Sequence, residues 1–103
     1  MTEIALSPDE TRIVLSILER IAPECDAWVF GSRTRPSPKL HADLDLAISG
    51  NAPLSLSVLA RLAEEFSESP LPFKVDIVDW STVGEEFRKL VDPDRRILRQ
   101  ASR

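Results

Sequence analysis

The sequence has a single cysteine, Cys25, and no apolar run near the length of a membrane-spanning helix. One cysteine cannot build a disulfide framework, so a reducing cytoplasm is the expected compartment. A membrane span needs about 18 or more consecutive apolar residues, and the N-terminal residues lack the basic and apolar stretches of a signal peptide. We therefore expect a cytoplasmic protein without a membrane partner.

Positive charge is also scarce. The 13 Lys and Arg residues are outnumbered by 17 Asp and Glu, which gives a formal net charge of −4. Because affinity for nucleic acid comes largely from clustered Lys and Arg, this balance argues against direct nucleic-acid binding. The basic residues gather around Arg33, Arg35 and Lys39, and again from Arg88 to Arg103. The second group is either a solvated helix face or a docking surface for an acidic partner.

The 103 residues, 43% hydrophobic and 29% charged, are expected to form one small domain over 1–103, with a core at 8–91 and a basic helical tail at 92–103. Ser7 and Glu10 bracket Pro8 in the pattern of a capping box, and helical spacing of apolar residues continues to Ala22. Composition and periodicity predict the remaining elements in this order: a strand at 27–30, a loop at 32–42, a strand at 43–48, a helix at 55–66, a strand at 73–80, a helix capped by Ser81 or Thr82 and ending at Val91, and a helical segment at 94–100. The predicted fold class is α+β in two layers, in the order α-β-β-α-β-α, with a small mixed sheet of three or more strands and the helices on one face.

Three aspartates fall on the predicted strands. Asp43 and Asp45 are two positions apart, so their side chains share one face of a strand while Leu44 and Leu46 point into the core. Two such carboxylates repel each other unless a cation lies between them, and a pair of Mg²⁺ ions about 3.5–4 Å apart is one arrangement that this spacing suits. Asp76 lies in the middle of the third strand and can complete a metal site, whereas Asp79 is expected to be a turn or cap residue.

Gly31 and Ser32 follow the first strand directly. Glycine lets the backbone approach a ligand closely, and the following N–H groups with the Ser32 hydroxyl can hold phosphate oxygens. Asp43 and Asp45 alone also fit the polar face of an ordinary half-exposed strand. The combination of Gly31, Ser32, the paired aspartates and Asp76 favours a phosphate and metal site.

These residues resemble a known family. Gly31-Ser32-Arg33 followed by Asp43-Leu44-Asp45 is similar to the signature of the DNA polymerase beta-type nucleotidyltransferases, and the strand with Asp76 is similar to the one that carries their third carboxylate. The resemblance spans 27–80, and the size points to the minimal nucleotidyltransferases, the MNT antitoxins of HEPN/MNT toxin–antitoxin pairs. Pro36 and Ala42 stand where many members have glycine and serine.

The resemblance implies an enzyme that moves AMP from ATP to a tyrosine hydroxyl of a cognate HEPN RNase toxin, forms a hetero-oligomer with it and silences it. It implies that Asp43, Asp45 and Asp76 ligate two Mg²⁺ ions and that Gly31 and Ser32 hold the triphosphate. Arg33 is expected to neutralise phosphate charge in the transition state. The alternatives are an antitoxin of the same fold that masks its toxin by stoichiometric binding, and a transferase that modifies a small molecule.

Other chemically active residues have simpler interpretations. His41, the one histidine of the sequence, is expected to be incidental to the site. Trp28 and Trp80 are expected to fill the core at strand ends, and Cys25 to pack as a small apolar residue after the first helix.

Overall fold

The computed structural model describes residues 4–34 and 42–101 of the chain. Within these ranges, three α-helices and four β-strands follow one another: α1 (Pro8–Ile21), β1 (Asp26–Phe30), β2 (Leu44–Ser49), α2 (Leu56–Glu68), β3 (Val75–Asp79), α3 (Glu85–Val91) and β4 (Arg96–Arg99). The strands form one sheet in the order β3-β2-β1-β4. β1 runs antiparallel to β2 and β4, whereas β2 and β3 are parallel. The predicted mixed α+β fold is confirmed.

The start of α1 follows from local chemistry. The Ser7 hydroxyl accepts a hydrogen bond from the Glu10 backbone N–H, and the Glu10 carboxylate accepts one from the Ser7 N–H. This capping box satisfies two N–H groups that a helix end leaves without intrahelical partners. The predicted helix start is confirmed.

Two apolar clusters lie on opposite faces of the sheet. The larger cluster joins α1 and α2 to the inward residues of β1 and β2, and its fully buried members include Val14, Leu18, Val29, Leu44, Leu46, Ile48 and Leu62. The smaller cluster contains Trp28, Ala47, Trp80 and Val91. Because Val91 belongs to α3, the expectation that all helices lie on one face is wrong: α1 and α2 cover one face, and α3 borders the other.

The predicted helical segment at 94–100 is also wrong, since this stretch contains strand β4. Ile97 is the register partner of Trp28, so β4 pairs with an edge of β1 that a three-stranded sheet would leave open. The Arg99 guanidinium donates hydrogen bonds to the backbone carbonyls of Ala22, Pro23 and Cys25. These contacts are distant in sequence, so the local helical spacing gave no sign of them.

The connections differ from the predictions in two places. Residues Gly31–Thr34, the start of the predicted loop, form a 3₁₀-helix, and the rest of that loop at 35–41, with Arg35, Pro36, Lys39 and His41, lies outside the described residues. Ser81 and Thr82 belong to a second 3₁₀-helix, Trp80–Thr82, while Gly84 precedes α3 as its N-cap. No helix in the described ranges is long and apolar enough to cross a membrane.

Candidate active site

Asp45 and Asp76 lie side by side on the two parallel strands. Asp45 of β2 is the register partner of Asp76 of β3, and both side chains are half-exposed. Residues directly opposed on neighbouring strands share a face of the sheet. Since Leu44 and Leu46 point into the larger cluster, both carboxylates project from the other face.

Asp43 adds a third carboxylate on this face. It precedes β2, is exposed, and stands two positions before Asp45. Burial raises the pKa of the Asp45 carboxyl, and the nearby charges of Asp76 and Asp43 raise it further. In the folded chain the charges of Asp43 and Asp76 therefore act on Asp45, and the joint site of the three aspartates stays a prediction.

The three carboxylates are not drawn together into a finished ligand shell. Within 4–34 and 42–101, no three His, Cys, Asp or Glu side chains converge as a group that could hold a metal ion. The donor set itself fits magnesium, which prefers carboxylate oxygens and needs only one or two protein carboxylates beside the substrate phosphates.

Gly31 brings the main chain against this group. It follows β1 directly and has φ of +77°. Residues other than glycine rarely adopt this left-handed backbone conformation. A Cβ at this position would lie 2.5 Å from Asp45 Oδ2, so the absence of a side chain lets the turn reach the carboxylate. Ser32 follows within the 3₁₀-helix and is half-buried.

Arg33, the third residue expected to contact phosphate, is bound to the protein backbone instead. It is 9% exposed, its Nε and one terminal nitrogen donate to the Ala42 carbonyl, and the other terminal nitrogen donates to the Ala5 carbonyl. Its guanidinium also stacks over the Phe73 ring at 4.2 Å. With its donors engaged in this way, Arg33 ties the N-terminal segment to the start of β2, and its placement does not support the expected phosphate contact.

The remaining candidates take structural positions. Asp79 is buried, and its carboxylate accepts hydrogen bonds from the Leu54 and Ser81 backbone N–H groups, which confirms its interpretation as a cap residue. Trp28 and Trp80 pack edge to face with ring centroids 4.9 Å apart. Cys25 is buried in the larger cluster, as expected.

Sequence reasoning missed Lys74. Its ammonium lies 3.4 Å from Asp76 Oδ1, and it stands two residues before Asp76. The alternation that placed Asp43 and Asp45 on one face also places Lys74 beside Asp76. The signal was therefore present in the sequence at Lys74-Val75-Asp76.

Comparisons with known proteins agree with this arrangement. The family model of "Polymerase beta, Nucleotidyltransferase" matches residues 17–102. The chain belongs to this nucleotidyltransferase family, which confirms the family resemblance. It is 42% identical over 89 residues to the probable protein adenylyltransferase MntA of Haemophilus influenzae, a match that covers 86% of this chain and 78% of the relative.

Solved structures share the fold. A toxin–antitoxin complex crystallised with AMP-PNP matches with a TM-score of 0.74 at 20% identity, covering 89% of this chain and 73% of that one. A mutant MntA–HpeT toxin–antitoxin complex matches with a TM-score of 0.74 at 18% identity, with the same coverage of both chains. A complex of a tri-AMPylated Shewanella oneidensis HEPN toxin with its MNT antitoxin matches with a TM-score of 0.68 at 20% identity, covering 89% and 70% of the chains.

Proposed function

We propose that this chain is an antitoxin that transfers AMP from ATP to a tyrosine hydroxyl of a cognate HEPN RNase toxin and so neutralises it. The observation that carries the proposal is the side-by-side register of Asp45 and Asp76, with the Gly31 turn packed against Asp45. The similarity to MntA, a probable protein adenylyltransferase, supports AMP as the transferred group.

Asp43, Asp45 and Asp76 are the residues that would hold magnesium, with two ions expected. Bound magnesium supplies neutralisation of phosphate charge and lowers the pKa of the acceptor hydroxyl. Burial is the main cause of the raised pKa of Asp45, and Asp76 and Asp43 add to it; a divalent cation would offset the part that comes from these two carboxylates.

Gly31 and Ser32 would hold the triphosphate. The Gly31 conformation brings backbone next to Asp45, so nucleotide phosphates held by these N–H groups lie beside the carboxylates. In the reaction the acceptor hydroxyl loses its proton to solvent and its oxygen forms a bond to the α-phosphorus of ATP, while the bond from that phosphorus to the pyrophosphate oxygen breaks and pyrophosphate leaves. Catalysis of this kind rests mostly on positioning and on electrostatic stabilisation.

The proposed partner is a HEPN toxin bound in a hetero-oligomer. Solved complexes of this fold pair an MNT antitoxin with a HEPN toxin, and one of those toxins is tri-AMPylated. Another complex carries Asp-to-Glu replacements two positions apart, the spacing of Asp43 and Asp45. The cytoplasmic location expected from the sequence suits ATP as substrate and stays a prediction.

Mass spectrometry of the toxin tests the proposal. Toxin incubated with ATP, Mg²⁺ and this protein is expected to gain the mass of AMP on a tyrosine-containing peptide, and the Asp43→Ala, Asp45→Ala double variant is expected to abolish the gain. Asp94→Ala, which removes an exposed carboxylate near the end of α3, serves as the matched control. Toxin that stays unmodified overturns the proposal. If the double variant also neutralises the toxin without ATP, the stoichiometric alternative holds instead.

A further inference from the structure

Lys74 and the three aspartates form a two-by-two arrangement. Leu44 is the register partner of Val75, and Asp45 that of Asp76, so Asp43 stands opposite Lys74. The Leu44 backbone N–H donates to the Lys74 carbonyl at 2.9 Å, a bond of the Leu44–Val75 pair that holds Lys74 beside the start of β2. Because side chains alternate along strands, all four charged groups belong to the same face: three carboxylates and one ammonium.

Lys74 is the cation that the fold places beside the three aspartates, whereas Arg95, on the same face, stacks over the Trp28 ring. Among the described residues, Lys74 makes the one ion pair with any of the three aspartates, at 3.4 Å from Asp76 Oδ1. Arg33 is buried against Ala5 and Ala42, and the Arg88 guanidinium donates to the Trp80 carbonyl. Arg33, which the sequence led us to expect at the phosphates, therefore binds backbone carbonyls. Lys74, which was not expected at the site, lies beside Asp76.

The ion pair between Lys74 and Asp76 is weak enough to break when a ligand binds. The Lys74 side chain is 74% exposed and that of Asp76 is 43% exposed, and exposed ion pairs of this kind are weak. The lysine stem is flexible and ends in a compact charge that can follow a moving anion. A divalent cation at Asp76 repels the ammonium, while the triphosphate of an arriving nucleotide offers new oxygens to it.

We propose that Lys74 is a resident counter-ion that neutralises Asp76 in the free protein and transfers to the nucleotide triphosphate when a divalent cation takes its place. This inference rests on the proposed function, since it uses the same metal and nucleotide site. It assigns Lys74 two opposite effects. Lys74 weakens the binding of a divalent cation alone, and it strengthens the binding of the nucleotide that arrives with the cation.

The opposite signs make the test sharp. In Lys74→Gln, Mn²⁺ binding to the free protein, followed by electron paramagnetic resonance, is expected to tighten roughly three- to tenfold, because a nearby positive charge is removed. Binding of AMP-PNP with Mg²⁺, followed by calorimetry, is expected to weaken roughly three- to tenfold. Lys74→Arg keeps the charge and is expected to move both affinities back towards the wild type. Lys89→Gln, at an exposed lysine of α3, is the matched control and is expected to change neither affinity.

The outcomes separate this inference from the proposed function. If wild type binds Mn²⁺ but Lys74→Gln leaves both affinities unchanged, or moves them in the same direction, the counter-ion role is wrong while the proposed function stands. If wild type binds no Mn²⁺ at millimolar concentration, the counter-ion role is overturned, whereas the proposed function is overturned only by a toxin that stays unmodified with ATP and Mg²⁺. The Lys74→Gln protein is expected to have the melting temperature of the wild type, because the ion pair that it loses is exposed. A changed affinity would therefore report on the site and not on folding.

Discussion

Gly31 and Asp45 are packed so closely that a methyl group at position 31 would lie 2.5 Å from the Asp45 carboxylate. Real Cβ contacts are longer than this, so a side chain here has to displace the carboxylate or the turn. The conformation of Gly31, with φ of +77°, disfavours a side chain independently of the space available. One residue therefore sets both the path of the chain after β1 and the position of the central aspartate.

Replacing Gly31 with alanine is expected to damage stability and activity together. The left-handed backbone alone costs an L-residue about 1–2 kcal/mol, which lowers the melting temperature of a domain of this size by roughly 5–10 °C. Displacement of Asp45 is expected to slow AMP transfer at least about tenfold beyond the loss of folded protein. The measurements are thermal melting and transfer rate below the melting temperature.

Gly84→Ser is the matched control for that variant. Among the residues that the structure describes, and apart from its two chain neighbours, nothing lies within 4 Å of a Cβ built at Gly84, whose φ of −76° suits any residue. Serine also favours the N-cap position that Gly84 holds, so stability is expected to stay level or rise slightly. A Gly31→Ala protein that matches Gly84→Ser in transfer rate would contradict the role given to the Gly31 contact.

Asp45→Asn is expected to be more stable than the wild type at neutral pH and inactive in transfer. Burial, with Asp76 and Asp43, raises the pKa of Asp45 in the folded state above its unfolded value. The folded state therefore holds the proton more readily, and stability falls as pH rises from the unfolded pKa through the folded one. Asparagine cannot ionise, so it removes this loss.

Melting curves across a pH series measure how the stability difference between Asp45→Asn and the wild type changes with pH. The advantage of Asp45→Asn is expected to be present at pH 7, at roughly 1–4 °C, and to vanish in acid below the unfolded pKa. Asp94→Asn controls for the general effect of exchanging an exposed aspartate. A constant difference between Asp45→Asn and the wild type at every pH would show that ionisation of Asp45 is not the cause.

Arg33→Met is expected to lower stability without weakening ATP binding in the protein that remains folded. The variant loses the hydrogen bonds to the Ala5 and Ala42 carbonyls and leaves those acceptors without their charged donor. Losses of this type amount to about 2–4 kcal/mol. Chemical denaturation gives the stability, and the KM for ATP at low temperature is expected to stay within about twofold. A raised KM for ATP with unchanged stability would show instead that Arg33 contacts the phosphates, as the sequence led us to expect.

Arg99→Ala is expected to release β4 from β1. Besides three backbone carbonyls, the Arg99 guanidinium binds the Glu19 carboxylate at 2.6 Å, so one side chain joins β4 to the end of α1. Its removal is expected to cost about 2–3 kcal/mol and to speed hydrogen exchange at the β1 amides that face β4. Arg61→Ala, on the exposed side of α2, is the control. Unchanged exchange in β1 would show that Arg99 does not hold the strand.

Local chemistry was readable from the sequence, and long-range chemistry was not. The capping box of Ser7 and Glu10 and the shared face of Asp43 and Asp45 depend on residues a few positions apart, so spacing alone predicts them. The sequence predicted that Asp45 and Asp76 lie on strands of the same sheet, but it did not predict that they are register partners. The position of Arg33 and the identity of β4 depend on contacts with Ala5, Phe73 and Trp28, which no local pattern reveals.

The parallel pairing of β2 with β3 also makes the meeting of Asp45 and Asp76 a long-range event in folding. A parallel pair cannot be closed by a tight turn, so the segment that contains α2 has to cross over to bring Asp76 beside Asp45. Such non-local pairing is slow compared with the growth of a helix. A partly folded chain in which β3 is undocked lacks the pairing of Asp45 with Asp76, so under the proposed function a cation or nucleotide that needs both residues would bind only the finished sheet. By mass action, such a ligand would shift the population towards that state, so occupancy of the site and stability of the fold are expected to rise together.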